Sequence, residues 1–365
     1  MKQIQALTFS DLSLKIAVPY NHDLKILDVI EKYKDHLYTL YLPVPPRLMF
    51  SGDVTQKINW QNYEENEIFY LQEVLAGWQM DLSLLLNITT CYDLELYHNF
   101  LKSELYQYIK KVLEKGINRF VIADISLARL IKENFKEVKI EVSLNAFINS
   151  IKKAIHWVDF VDPDTICVAE DMNKDLGFIH DLKKATGKKI KILVNSRCQP
   201  DCPNGISHAN LLSQGIGVSP YPCGLVCSRK PWFWYRGNAI TPYNLRYYTE
   251  FVDYIKFLGR NQPTYAIERD LRLYVDHCNS RAFSLNNGII NERYKHYDDL
   301  ARFIIRKIPH PYLKEEPPDV FGKVTKCKNN CQICNWCFDR WKKDWQIKDD
   351  IDPKKGIIYK YEEQF

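Results

Sequence analysis

Residues 139–194 read KIEVSLNAFINSIKKAIHWVDFVDPDTICVAEDMNKDLGFIHDLKKATGKKIKILV. Three short apolar runs, KIEVSL (139–144), TICVAE (165–170) and KIKILV (189–194), alternate here with two longer segments of helical periodicity. Strands that alternate with helices in this way are typical of βα units, in which each strand lies parallel to the next. The stretch therefore predicts three parallel strands joined by two helices.

The same alternation extends over most of the chain. Further candidate strands are KIAVPY (15–20), HLYTLYLPV (36–44), MDLSLLLN (80–87), RFVIAD (119–124) and YIKFLG (254–259). The total of eight strands predicts an α/β fold of the (β/α)8 TIM-like barrel type, whose active site lies at the carboxyl ends of the strands. An open doubly wound sheet is the alternative.

A change of pattern divides the chain. Residues 1–280 contain the predicted barrel, whereas residues 281–365 contain several prolines, four cysteines and a charged end. The second part does not repeat the βα rhythm. We therefore expect a barrel domain over 1–280 and a cysteine-rich C-terminal extension over 281–365.

The composition favours a folded protein inside the cell. Of 365 residues, 46% are hydrophobic and 26% are charged, with a net charge of +5, which excludes a disordered chain. The first twenty residues lack the features of a secretory signal, and no apolar run approaches the roughly 18 residues that cross a bilayer. We expect a cytoplasmic protein without a membrane partner, in which cysteines are available as metal ligands.

The first cysteine group follows the seventh predicted strand. It comprises Cys198, Cys202, Cys223 and Cys227, two pairs separated by a loop that is far longer than usual connections. Paired cysteines on short turns let four thiolates converge on one metal ion or cluster. The pattern predicts an iron–sulfur cluster, with a structural zinc ion as the alternative.

The second cysteine group lies in the extension. The segment CKNNCQICNWC holds Cys327, Cys331, Cys334 and Cys337 within eleven residues. Such closely spaced thiolates suit the wide perimeter of a cubane cluster better than a single zinc ion, which separated pairs usually hold. We predict a second iron–sulfur cluster, again with zinc as the alternative. Cys278 is a substitute ligand for either group.

Polar residues that follow the predicted strands are candidates for substrate contact. Glu170 is a candidate general acid or base, Arg197 and Arg260 are candidates for holding a carboxylate or phosphate, and His208 is a candidate ligand or proton carrier. Further candidates at strand ends are Asn87, Asp124, Asn145 and Asn195. The alternative is that many of them cap helices. The aromatic run KPWFWYRG (230–237) either stacks a planar substrate, forms a dry lid, or packs over the long loop.

Four ordered segments resemble the peptidase U32 family. They are CVAED (167–171), NSRCQPDC (195–202), ITPYNLRYY (240–248) and YIKFLGRNQPTYAIERDLRLY (254–274). The resemblance covers roughly residues 10–280 and implies a barrel-type domain. It also implies a [4Fe–4S] cluster held by the first cysteine group, and oxygen-independent hydroxylation of ubiquinone precursors or RNA bases.

The leading hypothesis is accordingly an iron–sulfur oxidoreductase that modifies an organic substrate without molecular oxygen. We expect two [4Fe–4S] clusters, an electron donor protein, and a small-molecule, peptide or RNA substrate. The resemblance also implies a heteromeric partner of the same family. The alternatives are a U32-type peptidase or other hydrolase, and a zinc-stabilised RNA-binding protein, which the small positive charge and the aromatic residues favour.

Overall fold

Eight parallel strands close into a barrel in chain order, β1 to β8, in a computed structural model of the chain. The structure describes residues 7–45, 48, 65–89, 94–196, 198–213, 230–282, 315–328, 330–331, 333–346 and 351. Each strand pairs with the next, and β8 returns to pair with β1, where Ala17 lies opposite Lys256. The predicted (β/α)8 barrel is confirmed, and the doubly wound sheet is excluded.

All eight predicted strands form, each slightly shorter than its sequence pattern. Their bounds are β1 Lys15–Pro19, β2 Leu37–Pro43, β3 Asp81–Leu86, β4 Arg119–Ile122, β5 Lys139–Val142, β6 Thr165–Cys167, β7 Lys189–Leu193 and β8 Tyr254–Lys256. The polar residues at the carboxyl end of each pattern therefore lie just beyond the strand, at the mouth of the barrel.

Helices follow the strands and surround the barrel. Among the described residues they are α1 Ile26–Tyr33, α2 Glu65–Gly77, α3 Leu94–His98, α4 Glu104–Glu114, α5 Ile125–Asn134, α6 Ile151–Val161, α7 Leu176–Thr186, α8 Gly205–Ser213, α9 Thr264–Val275, α10 Val320–Val324 and α11 Trp336–Trp345. Short 3₁₀ helices include Glu170–Met172, Pro231–Arg236 and Pro242–Tyr247. No helix in these described ranges is both long and apolar enough to cross a membrane.

Local sequence sets the ends of the two helices in the 139–194 stretch. The Ser150 hydroxyl accepts a hydrogen bond from the Lys153 amide at 3.3 Å and begins α6. The Asp175 carboxylate accepts one from the Phe178 amide at 2.9 Å and begins α7, which ends at Gly187 with a φ of +63°. Side-chain caps and a left-handed glycine satisfy backbone groups that a helix leaves unpaired at its ends.

Alternation along the strands separates two environments. Ile140, Ile166 and Ile190 are fully buried and belong to the main core between the sheet and the helices. Each fully buried isoleucine contributes about 1.5–3 kcal/mol through removal of apolar surface from water. Their neighbours Glu141 and Lys191 point to the other face, into the barrel, because successive strand side chains face opposite sides.

The C-terminal extension packs against the long loop after β7. Trp232 and Tyr235 of the Pro231–Arg236 helix are buried against Phe338 and Trp341 of α11. The Trp232 and Trp341 ring centroids lie 5.4 Å apart, and the Tyr235 hydroxyl donates to Asp344 Oδ2 at 2.5 Å. The packing interpretation of the KPWFWYRG run is therefore confirmed for these two aromatic residues.

A second contact joins the extension to the barrel. The Phe321 ring of α10 stacks on the Tyr247 ring, with centroids 5.2 Å apart, and the buried Glu316 accepts a hydrogen bond from the Asn244 side chain. The predicted domain boundary at residue 280 stays a prediction, since residues 283–314 lie outside the described ranges.

Replacement of the largest buried side chain at this contact tests the docking. Trp341 is only 1% exposed, so Trp341→Ala removes most of the apolar surface that α11 buries. We expect the docked state to lose about 3–5 kcal/mol, as for other buried aromatic truncations. Hydrogen-exchange mass spectrometry should show faster exchange in 231–236 and 336–345. Tyr265→Ala, at an aromatic residue that is 70% exposed, is the control and should leave both segments protected; unchanged exchange in Trp341→Ala would contradict the docking.

Candidate site at the carboxyl ends of the strands

A hydrogen-bonded group at the mouth joins the ends of β6 and β7. Glu170 begins the 3₁₀ turn that follows β6, and the Ser196 hydroxyl beyond β7 donates to Glu170 Oε1. The Cys198 amide donates to Ser196 Oγ at 3.2 Å, and the Asn238 amide donates to the Cys198 carbonyl at 2.9 Å. The structure thus brings the predicted residues Glu170 and Cys198 together, with Ser196 and Asn238 as additional members.

The environment of Glu170 changes its acidity. Burial raises the pKa of its carboxyl to about 7, and the nearby Asp171 carboxylate adds to this effect. Hydrogen bonds from Cys198 and Asn238 oppose it, because they stabilise the ionised form. A carboxyl group with a raised pKa at a barrel mouth is typical of a functional position.

The structure describes two of the four cysteines of the first group. Cys198 is exposed at the mouth, and Cys202 is partly exposed, with its carbonyl accepting from the Gly205 amide at 3.0 Å. Cys223, Cys227 and Arg197 lie outside the described residues. Convergence of the first group on one centre therefore stays a prediction.

All four cysteines of the second group are described. Burial raises the pKa of the Cys337 thiol to about 12, and the charges of Cys327, Cys331 and Cys334 raise it further, whereas the Arg236 guanidinium lowers it. Arg236 Nη1 also donates to Cys331 Sγ at 2.8 Å. The Arg236 guanidinium therefore lies beside Cys331 of this group.

The second group suits a cluster by its donor chemistry. Four thiols are the usual ligand set of a [4Fe–4S] cluster, and hydrogen bonds to the sulfurs tune such centres. In the described part of the chain, no three His, Cys, Asp or Glu side chains are arranged to hold a metal ion, so convergence of the second group on one centre also stays a prediction. The apolar cluster of Trp232, Phe338 and Trp341 lies directly beside Cys337 and limits its exposure to water.

One short segment contacts both cysteine groups. Asn238 binds the Cys198 backbone, and Arg236, two residues earlier, binds Cys331. Between them, the Gly237 carbonyl accepts from the buried Lys174 Nζ at 2.5 Å. Burial lowers the pKa of Lys174, and the charges of Glu316 and Cys337 oppose this shift. The segment 236–238 therefore connects the barrel mouth to the extension.

Several predicted mouth residues have structural partners. The Asp124 carboxylate caps α5 by accepting from the Leu127 amide at 2.7 Å, so the helix-cap alternative is confirmed for this residue. The Asn195 side chain bridges the Leu258 backbone and the Asp270 carboxylate. Neither side chain is thereby left to contact substrate.

The remaining candidates lie on the mouth or in its loop. His208 is in α8, where burial lowers the pKa of its ring, and Arg260 follows β8. Cys278 lies apart from both cysteine groups, since its thiol donates to the Leu7 carbonyl at 2.8 Å.

The barrel interior contains charged residues that the sequence reading missed. Lys191 on β7 and Glu141 on β5 form an ion pair and are 2% and 1% exposed. They reach each other across β6, which separates their strands, so both side chains lie inside the barrel. The Tyr38 hydroxyl on β2 donates to Glu141 from the opposite wall at 3.4 Å.

Other charged side chains line the interior on either side of this pair along the barrel axis. Arg119 binds Asp81 at 2.6 Å, and Lys256 Nζ lies 4.4 Å from the Tyr41 ring centroid. The signal in the sequence is a lysine at the centre of each of KIKILV and YIKFLG. A charged residue in a strand that is buried on both faces must point into the barrel or break the fold.

The comparisons with known proteins agree with this fold. A family model described as Peptidase family U32 matches residues 61–198, which include β3 to β7 and end at Cys198. An uncharacterized protease of Methanocaldococcus jannaschii is 28% identical over 242 residues, which cover 64% of this chain and 68% of that protein. The predicted resemblance to the peptidase U32 family is confirmed over residues 61–198, and the chain is a (β/α)8 barrel protein that is similar to this family.

Two solved structures are also similar. The U32 peptidase Mk0906 is 18% identical and covers 68% of this chain and 94% of its own, with a TM-score of 0.48. The YdjI aldolase from Escherichia coli K12 is 9% identical and covers 80% of this chain and 95% of its own, with a TM-score of 0.37.

Removing one member of the interior ion pair tests its energetic role. Glu141→Leu leaves the Lys191 ammonium buried without its carboxylate, and we expect a loss of about 3–5 kcal/mol in the free energy of unfolding. The double variant Glu141→Leu/Lys191→Met should recover most of this loss, since it removes both charges. Urea unfolding measures each value. The control is Glu133→Ala, which breaks the exposed pair with Arg129 and should change the free energy of unfolding only slightly. If Glu141→Leu changed the free energy of unfolding as little as the control does, the interpretation would be contradicted.

Proposed function

We propose that the chain is an iron–sulfur enzyme that modifies an organic substrate at the barrel mouth without molecular oxygen. The observation that supports this proposal most directly is that segment 236–238 forms hydrogen bonds with both cysteine groups. Asn238 binds Cys198, and Arg236 binds Cys331. Such an arrangement suits electron transfer from a centre in the extension to a centre at the mouth. The U32 resemblance supports the same placement of the reactive site.

The two cysteine groups are the proposed ligand sets. Cys198, Cys202, Cys223 and Cys227 would hold one [4Fe–4S] cluster, and Cys327, Cys331, Cys334 and Cys337 would hold the other. When bound, clusters of this type accept and donate single electrons. The apolar packing of Trp232, Phe338 and Trp341 would shield the second centre on the side of Cys337, whereas Cys327 and Cys334 are exposed.

Residues of the mouth would position the loop and the substrate. Ser196 and Asn238 fix the Cys198 backbone, and Glu170 fixes Ser196 in turn. Arg260, in the loop that follows β8, has the proposed role of holding an acidic group of the substrate. Arg197 has the same proposed role.

The substrate and partners are further parts of the proposal. An RNA base or a quinone precursor is the substrate class that the U32 resemblance favours. The centre in the extension requires a redox partner: an electron donor protein for a reductive step, and an electron acceptor for a hydroxylation that takes its oxygen from water, since that step removes two electrons from the substrate. A related chain is the proposed heteromeric partner. A peptide substrate belongs to the second candidate function.

Hydrolysis is the second candidate, because one observation favours it. The Ser196 hydroxyl donates to the Glu170 carboxylate, and a hydroxyl beside a base is the minimum for nucleophilic catalysis. The relative from Methanocaldococcus jannaschii is also called a protease. However, Ser196 is only 2% exposed and its oxygen already accepts from the Cys198 amide, so it is poorly placed to attack a peptide. Peptidase activity that is lost in Ser196→Ala and kept in Cys327→Ser would favour hydrolysis.

Metal and sulfide analysis tests the iron–sulfur proposal. Anaerobically purified protein should contain roughly eight irons and eight sulfides per chain, as two cubane clusters require. Cys198→Ser and Cys327→Ser should each lose about half of the iron, because each removes one thiolate from a different ligand set. Electron paramagnetic resonance of the reduced variants should show which centre remains.

A cysteine outside both groups provides the control. Cys278→Ser should keep the full iron content, since the Cys278 thiol binds the Leu7 carbonyl. Stoichiometric zinc without sulfide would contradict the proposal. If such a zinc protein also bound transfer RNA in a salt-sensitive way without turnover, it would be an RNA-binding scaffold.

A further inference from the structure

Lys256 is the last residue of β8, and its side chain lies inside the barrel near the mouth. Its Nζ is 4.4 Å from the ring centroid of Tyr41 on β2, across β1, where the opposite residue is only Ala17. The residue is 6% exposed. Within the described ranges, no hydrogen bond or ion pair reaches Nζ; the Tyr41 ring face is the contact it makes.

The carboxylates near Lys256 are bound by other residues. The groups that act on it are Cys167 on β6, Glu141 on β5, Lys191 on β7 and Arg260 beyond β8. Glu141 is already bound by Lys191. Cys167 is neutral at pH 7, because burial raises the pKa of its thiol to about 11. A second carboxylate, Glu170, also acts on Cys167, but it accepts a hydrogen bond from Ser196, so both of these carboxylates have other partners.

Lys256 keeps most of its charge at neutral pH. Its pKa is lowered to about 8, chiefly by burial and also by Lys191 and Arg260, against the opposing effects of Cys167 and Glu141. A buried cation without a counter-ion is unfavourable, and an anion that enters the site would compensate it. Barrels of this type frequently bind phosphate near the ends of strands 7 and 8.

We propose that Lys256, together with Arg260 in the loop that follows β8, binds an anionic group of the substrate at the floor of the barrel mouth. The group is a carboxylate or a phosphate, so the substrate class is an acidic molecule. This inference rests on the proposed function only for the location of the substrate, and the anion site itself does not depend on either cluster.

Sulfate titration of the full chain tests the site. Sulfate keeps its double charge across the neutral pH range, so any pH dependence comes from the protein. Because binding needs the protonated amine, affinity is retained at low pH and lost as pH rises through the pKa of Lys256. Isothermal titration calorimetry should show about tenfold weaker binding at pH 9 than at pH 7, as a single group of this pKa requires.

Two variants at position 256 separate charge from shape. Lys256→Met keeps the length of the side chain and should weaken sulfate binding at least tenfold, and also remove its pH dependence. Lys256→Arg should keep the affinity and lose the pH dependence, because arginine stays charged. The matched control is Lys189→Met on β7, where the lysine is exposed and paired with Asp253 at 2.9 Å; it should bind as the unmodified chain does.

Competition by inorganic phosphate and by malonate then identifies the preferred anion. Binding that is unchanged in Lys256→Met, or equal at both pH values, would overturn the inference. Iron and sulfide measured on the same samples separate the two proposals. Sulfate binding that depends on Lys256 in a protein without iron would support the anion site and contradict the iron–sulfur function.

Discussion

The pairing of β8 with β1 is the interaction on which the rest of the structure depends. Three residues of each strand pair here, and this contact turns an open sheet into a closed barrel. Closure places the carboxyl ends of all eight strands around one mouth, where Glu170 and Cys198 are linked through Ser196 although they follow different strands. It also encloses Lys191 and Glu141, which an open sheet would leave at a surface.

The long connection after β7 links the barrel to the extension. In its final part, residues 231–238, the aromatic side chains pack on α11. The polar groups of the same segment form hydrogen bonds with the two cysteine groups. The same few residues therefore stabilise the docked extension and define the surroundings of Cys331 and Cys198. Structure and proposed chemistry are coupled here, because a change that loosens the packing also moves Arg236 and Asn238.

The sequence predicted the architecture well, because the relevant signals are local. Strand patterns such as KIKILV carry their own periodicity, and all eight formed where expected. The two cysteine groups could be identified from the sequence for the same reason, because the spacing of their cysteines is a local signal. The contacts of Ser196 and Asn238 were not, since each depends on a partner that is many residues away. Asp124 shows a different limit of sequence-based prediction. A polar residue that follows a strand gives the same sequence pattern whether it faces substrate or caps a helix. The charged interior was missed because Lys191 and Lys256 were read only as parts of apolar runs.

The docking of the extension has a consequence for biosynthesis. Trp232, Tyr235 and Tyr247 are synthesised roughly a hundred residues before α10 and α11, which cover them. During that interval a nascent chain presents an aromatic surface that has no cover from the extension. Such surfaces attract chaperones and other nascent chains. Premature termination between residues 282 and 315, after β8 and α9 but before α10, would make this state permanent, and the truncated product would be prone to aggregation even with its barrel complete.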